Sequence, residues 1–223
     1  MKLHAFGDSF VVGDQDEKDD KNKEYLKYNV SFVSIIAKHF GIELVNYSES
    51  GSGNFSQLDK LFLNLKYGTI QKNDVVLFGM TSTSRDRTDV IRHYPNSSFR
   101  ISALSVANPD IFNLLMEMDE FYILSILENL GRLHDVKIIK FNAFTRPFTT
   151  TKLSTKLFTN YLNDGNLMDI LDDTWGVNVN HLENHGDIVV MNQYKHLYTP
   201  HKHPSVIGHE KIARWFIDNV DII

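Results

Sequence analysis

The sequence predicts an α/β fold built on a mainly parallel sheet. Between the N-terminus and Phe141, short apolar runs alternate with segments in which apolar residues recur at helical spacing. The run at 75–78, Val-Val-Leu-Phe, is typical of a strand that is buried on both faces. Strands that alternate with helices favour parallel pairing through right-handed crossovers, and this order therefore sets the fold class.

The strands are predicted where apolar residues run together without helical spacing. The first strand is short and is ended by Gly7, and a later one follows Gly41 directly. The predicted strands are 3–6, 42–47, 74–78 and 136–141.

Helices are predicted at 32–40, 55–65, 109–133 and 205–220. Gly41 stands at the C-cap position of the first, and Pro109 opens the third. In the last helix, the residues predicted to face inward are Ile207, Ile212, Trp215 and Phe216.

The segments between these helices and strands show no clear pattern of secondary structure. The charged stretch 14–24 is predicted to be a solvated loop or lid, and 81–108 is irregular and polar. Residues 145–186 are interpreted as an irregular insert, because their apolar spacing is broken except around 167–171. The short apolar stretch 187–191 is either a strand or a loop.

Composition limits the partners. A chain of 223 residues, 42% of them hydrophobic, suits one domain spanning 1–223. A net charge of -5 gives no basic field for a nucleic acid. The lack of cysteine excludes disulfides and thiolate sites. With no signal-peptide pattern and no long apolar stretch, we expect a soluble protein made without a cleaved leader and without a membrane partner. The oligomeric state is not specified.

Two distant polar residues are predicted to meet. Ser9 follows the first strand in Gly7-Asp8-Ser9-Phe10, and His203 stands just before the last helix. Since ligands of open α/β sheets bind at the carboxyl ends of the strands, a serine there can meet a histidine that activates it. Gly51 and Asn54 follow the second strand at the same edge, where a backbone amide can face an oxyanion.

These motifs resemble the SGNH (GDSL-like) hydrolase superfamily. Its blocks contain Gly-Asp-Ser, a glycine, Gly-x-Asn-Asp and Asp-x-x-His, of which Ser9, Gly51 and His203 match three of the named positions. More narrowly, residues 79–82, Gly-Met-Thr-Ser, and Arg85 nearly match the third block, Gly-aromatic-Thr-Ser then Arg, of a group often encoded by bacteriophages, and the chain therefore resembles that group. Such a protein would lie in the host cytoplasm or with the virion.

The resemblance implies a three-layer α/β/α sandwich with a flavodoxin-like sheet. It also implies a serine esterase, without cofactor or metal, that removes a small, acetyl-like acyl group from a glycan or a similar ester. Ser9 is then the nucleophile and His203 its base. Asp8 is predicted to be one of the oxyanion or substrate-binding residues. The alternative is that its side chain only caps the turn.

Two positions depart from the family. Thr81 stands where the third block has asparagine, so that Thr81 or Ser82 would donate to the oxyanion through a hydroxyl. No acid precedes His203, since Pro200 and His201 occupy the expected positions. A backbone carbonyl, or Asp187 from a neighbouring strand end, would then orient the imidazole. These departures predict a weak enzyme with an atypical triad.

Two other classes of function stay open. A metal site would use the spacing of His181 with His185, or of His201 with His203, although the order of a zinc hydrolase is absent. The other class is a binding or phage structural protein that keeps the fold without the reaction. Its surface would carry aromatic residues in and after the insert: Tyr161, Trp175, Tyr194 and Tyr198. His209 is interpreted as a structural residue that packs at the start of the last helix.

Overall fold

A parallel sheet of five strands organises the part of the chain that the structure describes. The computed structural model describes residues 1–13, 23–81, 109–143, 158–173, 195–199 and 203–223. The strands in these ranges are β1 (Lys2–Phe6), β2 (Glu43–Asn46), β3 (Val75–Met80), β4 (Lys137–Asn142) and β5 (Tyr161–Asn166). They are ordered β2-β1-β3-β4-β5, and each neighbouring pair is parallel. This is the flavodoxin-like order, in which the chain reverses its direction of winding beside β1.

Helices connect these strands and cover the sheet. Within the described residues they are α1 (Ser9–Val12), α2 (Lys23–Asn29), α3 (Phe32–Phe40), α4 (Asn54–Lys66), α5 (Pro109–His134), α6 (Leu167–Leu171) and α7 (Val206–Asn219). A short 3₁₀ turn, Lys195–Leu197, precedes the segment that leads into α7. No helix in the described part of the chain is long and apolar enough to cross a membrane.

The sheet has an apolar layer on each face. Side chains alternate along a strand, so in β1 Leu3 and Ala5 join one buried cluster whereas Phe6 joins the other. The first cluster also contains apolar residues of α3 and α7, and the second contains those of α4 and α5. Since β3 is buried along its whole length, the centre of the sheet is covered on both sides. The three-layer α/β/α sandwich that the sequence predicts is confirmed.

The insert is the main correction to the sequence prediction. Within 145–186, residues 161–166 form the edge strand β5 and 167–171 form α6. The strand was missed because Asn163, Asp164 and Gly165 interrupt its apolar pattern. Asn166 then caps α6, accepting hydrogen bonds from the amides of Met168 and Asp169. The prediction for 187–191 falls outside the described residues.

One loop prediction and one helix prediction also need correction. Lys23 and Glu24 belong to α2 and not to the predicted solvated loop, of which 14–22 lie outside the described ranges. In α7, Ile207 does not face inward, since it is 52% exposed. The inward position is taken by Gly208, where a Cβ atom would lie 2.3 Å from the Leu197 carbonyl oxygen. The close approach of α7 to the 3₁₀ turn therefore fixes which face of the helix is buried.

Candidate active site

Ser9 stands at the first position of a short helix at the carboxyl edge of the sheet. Asp8 caps α1, because its carboxylate accepts a hydrogen bond of 3.1 Å from the Phe10 amide. The helix ends at Gly13, which has a left-handed backbone and donates to the Ser9 carbonyl. Asp8 is fully buried and Ser9 is 7% exposed. For Asp8, the structure favours the capping role that was the alternative to substrate binding.

Close packing explains the glycine before this turn. A Cβ atom on Gly7 would lie 2.4 Å from Val11 Cγ2, and one on Gly79 would lie 2.7 Å from the same atom. Val11 thus fills the space that two glycines leave between β1 and β3. The turn that carries Ser9 can lie this close to β3 only if both positions lack a side chain.

His203 is held by a small antiparallel contact that the sequence did not reveal. The Thr199 amide donates to the His203 carbonyl at 2.8 Å, and the His203 amide donates to Thr199 Oγ1 at 3.2 Å. Tyr198 and Pro204 form the bridge between the two segments. Tyr198 also donates from its hydroxyl to Asp172 Oδ1 at 2.8 Å, which ties the segment to the end of α6. The backbone of His203 is therefore fixed from two sides.

Ser9 and His203 meet across 194 positions of sequence, with Ser9 Oγ and His203 Nε2 3.0 Å apart. The Phe10 ring lies edge-on to the imidazole, with ring centroids 5.5 Å apart. The prediction that these two side chains lie within hydrogen-bond reach is confirmed. If Nε2 accepts the hydroxyl proton, the imidazole carries its own proton on Nδ1. A backbone carbonyl is the first candidate to orient Nδ1 and Asp187 the second, and Asp187 falls outside the described ranges, as do Pro200 and His201.

Asn54 and Thr81 are joined by a pair of hydrogen bonds. Asn54 Nδ2 donates to the Thr81 carbonyl at 3.0 Å, and the Thr81 amide donates to Asn54 Oδ1 at 2.8 Å. Asn54 therefore positions the backbone at the carboxyl end of β3. The Thr81 hydroxyl is buried and has no hydrogen-bond partner among the described residues, which leaves it able to donate to a ligand. Ser82 is outside the described ranges.

Gly51 lies in an exposed turn after β2. Its φ is 74°, a value that glycine adopts without strain, and the Ser52 amide closes the turn on the Glu49 carbonyl. The Glu49 amide donates to the Gly7 carbonyl at 3.1 Å. The glycine turn is thus attached directly to the turn that carries the serine.

Sequence reasoning missed Gln57. Its side chain is buried on α4, where Oε1 accepts from the Gly7 amide at 3.3 Å and Nε2 donates to Ser52 Oγ at 2.6 Å. The sequence contained a signal for it, because the first two buried residues of α4 carry side-chain amides and the later ones are leucines. The buried residues of this helix are Asn54, Gln57, Leu58, Leu61 and Leu65. Polar side chains on the buried face of a helix require hydrogen-bond partners inside the protein.

His209 is structural, as predicted. It is fully buried in α7, where its Nδ1 accepts from the Phe32 amide at 3.3 Å and its ring stacks on the Phe32 ring. Burial lowers the pKa of His209 from 6.5 to about 3, and the charge of the nearby His203 acts in the same direction. His209 is therefore neutral at physiological pH and cannot serve as a cation beside the serine.

The alternative functions receive no support from the described residues. They contain no group of three or more histidine or acidic side chains that could hold a metal ion, while His181, His185 and His201 fall outside them. Of the suggested surface aromatics, Tyr161 and Tyr198 are buried. Their hydroxyls bind internal groups, Glu120 with Asn142 for Tyr161 and Asp172 for Tyr198. Trp175 and Tyr194 lie outside the described ranges.

Comparison with known proteins gives only distant similarities. No protein-family model matches the sequence, and no curated protein is detectably similar to it. Among solved structures, the psychrotrophic esterase EstA from Pseudoalteromonas sp. is similar over 98% of this chain and 96% of its own, with 12% identity and a TM-score of 0.46.

Two further solved structures are similar over nearly their whole length. One is described as a lipolytic protein of the G-D-S-L family from Desulfitobacterium hafniense, with 15% identity, a TM-score of 0.42 and 96% of each chain covered. The other is a catalytic mutant of Axe2, an acetylxylan esterase from Geobacillus stearothermophilus, with 14% identity, a TM-score of 0.43 and coverage of 100% of this chain and 95% of that one.

Proposed function

We propose that this protein is a serine hydrolase of the SGNH type that cleaves carboxylic esters, with Ser9 as nucleophile and His203 as general base. The observation that carries the proposal is the distance of 3.0 Å between Ser9 Oγ and His203 Nε2. A serine hydroxyl is a weak nucleophile at neutral pH and needs a base within hydrogen-bond reach. The surroundings of this pair hold both residues in place, since Asp8 caps the turn of Ser9 and Thr199 binds the backbone of His203.

The reaction would proceed by acyl transfer. His203 Nε2 takes the hydroxyl proton while Ser9 Oγ forms a bond to the ester carbonyl carbon, and the carbonyl electron pair moves to the oxygen. Collapse of this intermediate expels the alcohol, which receives the proton from His203 and leaves an acyl group on Ser9. Water then adds to the acyl carbon and gives a proton to His203. Release of the acid returns that proton to Ser9.

The oxyanion needs donors at the same edge. We propose the amides of Ser9 and Gly51, together with the hydroxyl of Thr81 or Ser82. The unpartnered Thr81 hydroxyl supports its role, because a buried donor without an acceptor among the described residues is available to a ligand. For Nδ1 of His203, a backbone carbonyl or Asp187 would fix the tautomer.

For the substrate we propose an ester of a small, acetyl-like acyl group on a glycan or a similar alcohol. This substrate class is proposed because the sequence motifs resemble those of SGNH hydrolases. Assay of p-nitrophenyl acetate beside acetylated oligosaccharides and long-chain esters tests it directly. Faster turnover of the acetyl esters is expected, whereas a preference for long acyl chains would contradict the small acyl group.

The test of the mechanism is hydrolysis of p-nitrophenyl acetate by matched variants. Ser9→Ala and His203→Ala are each expected to abolish turnover above background while the circular dichroism spectrum stays unchanged. The controls are Ser34→Ala, a buried serine of α3 that binds the Ser31 carbonyl, and His39→Ala, an exposed histidine of the same helix. Turnover that survives Ser9→Ala and disappears with a chelator would transfer the reaction to a metal site.

A further inference from the structure

We infer that the first turn of α4 is the scaffold on which the oxyanion pocket is assembled, and that Gln57 is a positioning residue for the reaction. The inference rests on the proposed function, since it concerns the donors named there. Gln57 is 1% exposed. It acts through the two turns that it binds and is not required to touch the substrate.

The Gln57 carboxamide completes a closed ring of hydrogen bonds. It accepts from the Gly7 amide at 3.3 Å and donates to Ser52 Oγ at 2.6 Å. The other half of the ring runs through Glu49, whose amide donates to the Gly7 carbonyl and whose carbonyl accepts from the Ser52 amide. The serine turn and the glycine turn are therefore linked twice, once by backbone groups and once by Gln57.

The first turn of α4 also contacts the carboxyl end of β3. Asn54, which starts α4, binds both the amide and the carbonyl of Thr81. The oxyanion donors proposed at Ser9, Gly51 and Thr81 follow three different strands, β1, β2 and β3. Two side chains of one helix turn thus set the relative positions of three independent loops.

A carboxamide suits this position chemically. Gln57 must accept from an amide and donate to a hydroxyl in a buried place without adding charge, and a glutamine side chain does all three. An apolar residue of similar size would leave the buried Gly7 amide without its acceptor. Oxyanion donors act only within a few tenths of an ångström of their productive positions, and misplacement by about 1 Å can cost about 100-fold in rate.

The test compares Gln57→Leu with Ser52→Ala and with the double variant, using p-nitrophenyl acetate. Each single variant is expected to lower turnover at saturating ester by roughly 10- to 100-fold, with a smaller effect on KM. The double variant is expected to lose little more than Gln57→Leu alone, because both changes break the same link. The midpoint of the pH profile is expected to stay unchanged, because the contact between Ser9 and His203 is not altered.

Leu58→Ala is the matched control. Leu58 is buried next to Gln57 on α4 but has no polar contact with either turn, so its truncation lowers stability without moving the donors. If this control lost turnover to the same extent as Gln57→Leu, Gln57 would be merely structural. If Gln57→Leu does not fold, Ser52→Ala alone tests the inference. Ser52 is a half-buried loop residue, so its truncation is expected to leave the fold intact.

The outcomes distinguish a failure of the proposed function from a failure of the positioning role of Gln57. Wild-type protein that neither turns over the ester nor reacts at Ser9 with a phosphonate contradicts the proposed function. Active wild-type protein whose Gln57→Leu or Ser52→Ala variant turns over normally contradicts the positioning role alone. Additive losses in the double variant would likewise show that Gln57 and Ser52 do not act as one link.

Discussion

Acid should destabilise this protein through His209, and the structure gives the size of the effect. The pKa of this buried imidazole is about 3, against 6.5 for the unperturbed group. A tenfold difference in proton affinity corresponds to about 1.4 kcal/mol, so the full gap corresponds to about 5 kcal/mol of folding free energy. Typical domains unfold with only about 5–15 kcal/mol, and the contribution is therefore large enough to measure.

The sign follows from which state binds the proton. Above pH 6.5 His209 is neutral in both states, and its contribution to stability is fully present. As the pH falls from 6.5 towards 3, the unfolded chain binds a proton that the folded chain refuses, so the free energy of unfolding decreases. At pH 4.5 the expected loss from this residue is about 3 kcal/mol.

The measurement is urea unfolding of the wild type and of His209→Gln at pH values from 7 to 4.5, followed by circular dichroism. Glutamine stays neutral throughout this range, so the variant should be less stable at pH 7 but should lose less stability on acidification. Burial also lowers the pKa of His4, but this contribution is common to both proteins and cancels in the comparison. Parallel pH curves for the two proteins would show that His209 does not take up a proton on unfolding.

Two further predictions concern the sheet edge. Gly7→Ala places a methyl group 2.4 Å from Val11 Cγ2, and we expect a loss of about 1–3 kcal/mol in unfolding free energy together with lower ester turnover. Thermal unfolding checks the first effect, and an unchanged melting temperature would contradict the packing argument. Thr81→Val removes a buried hydroxyl that has no partner among the described residues, so the unfolding free energy should stay the same or rise while turnover falls about 100-fold. Unchanged turnover would shift the donor role to Ser82.

Much of the fold could be predicted because its signals are local. The Val-Val-Leu-Phe run of β3 and the apolar spacing of α3 each identify one element without reference to the rest of the chain. The pairing of Ser9 with His203 was also accessible, because parallel sheets bring the ends of their strands to one edge. β5 was not, since an edge strand that contains Asn163, Asp164 and Gly165 depends on its neighbour β4 more than on its own pattern.

The supporting residues of the site were harder to find for a different reason. Gln57 and Asn54 act through hydrogen bonds to Gly7 and Thr81, whose positions depend on the folded sheet. The contact of Thr199 with His203 joins two very short segments, which leave no periodic pattern in the sequence. A polar residue on the inward face of a helix signals that such a partner exists, but only the fold identifies it.

If Ser9 is the nucleophile, an activated phosphonate will label Ser9 and no other serine. The protein is incubated with an activated alkyl phosphonate, and the modified residue is located by mass spectrometry of its peptides. We expect one adduct, on Ser9, which is absent from Ser9→Ala and forms much more slowly in His203→Ala because the base is missing. Labelling that leaves Ser9 unmodified, or that proceeds equally fast without His203, would contradict the assignment of Ser9 as nucleophile and His203 as its base.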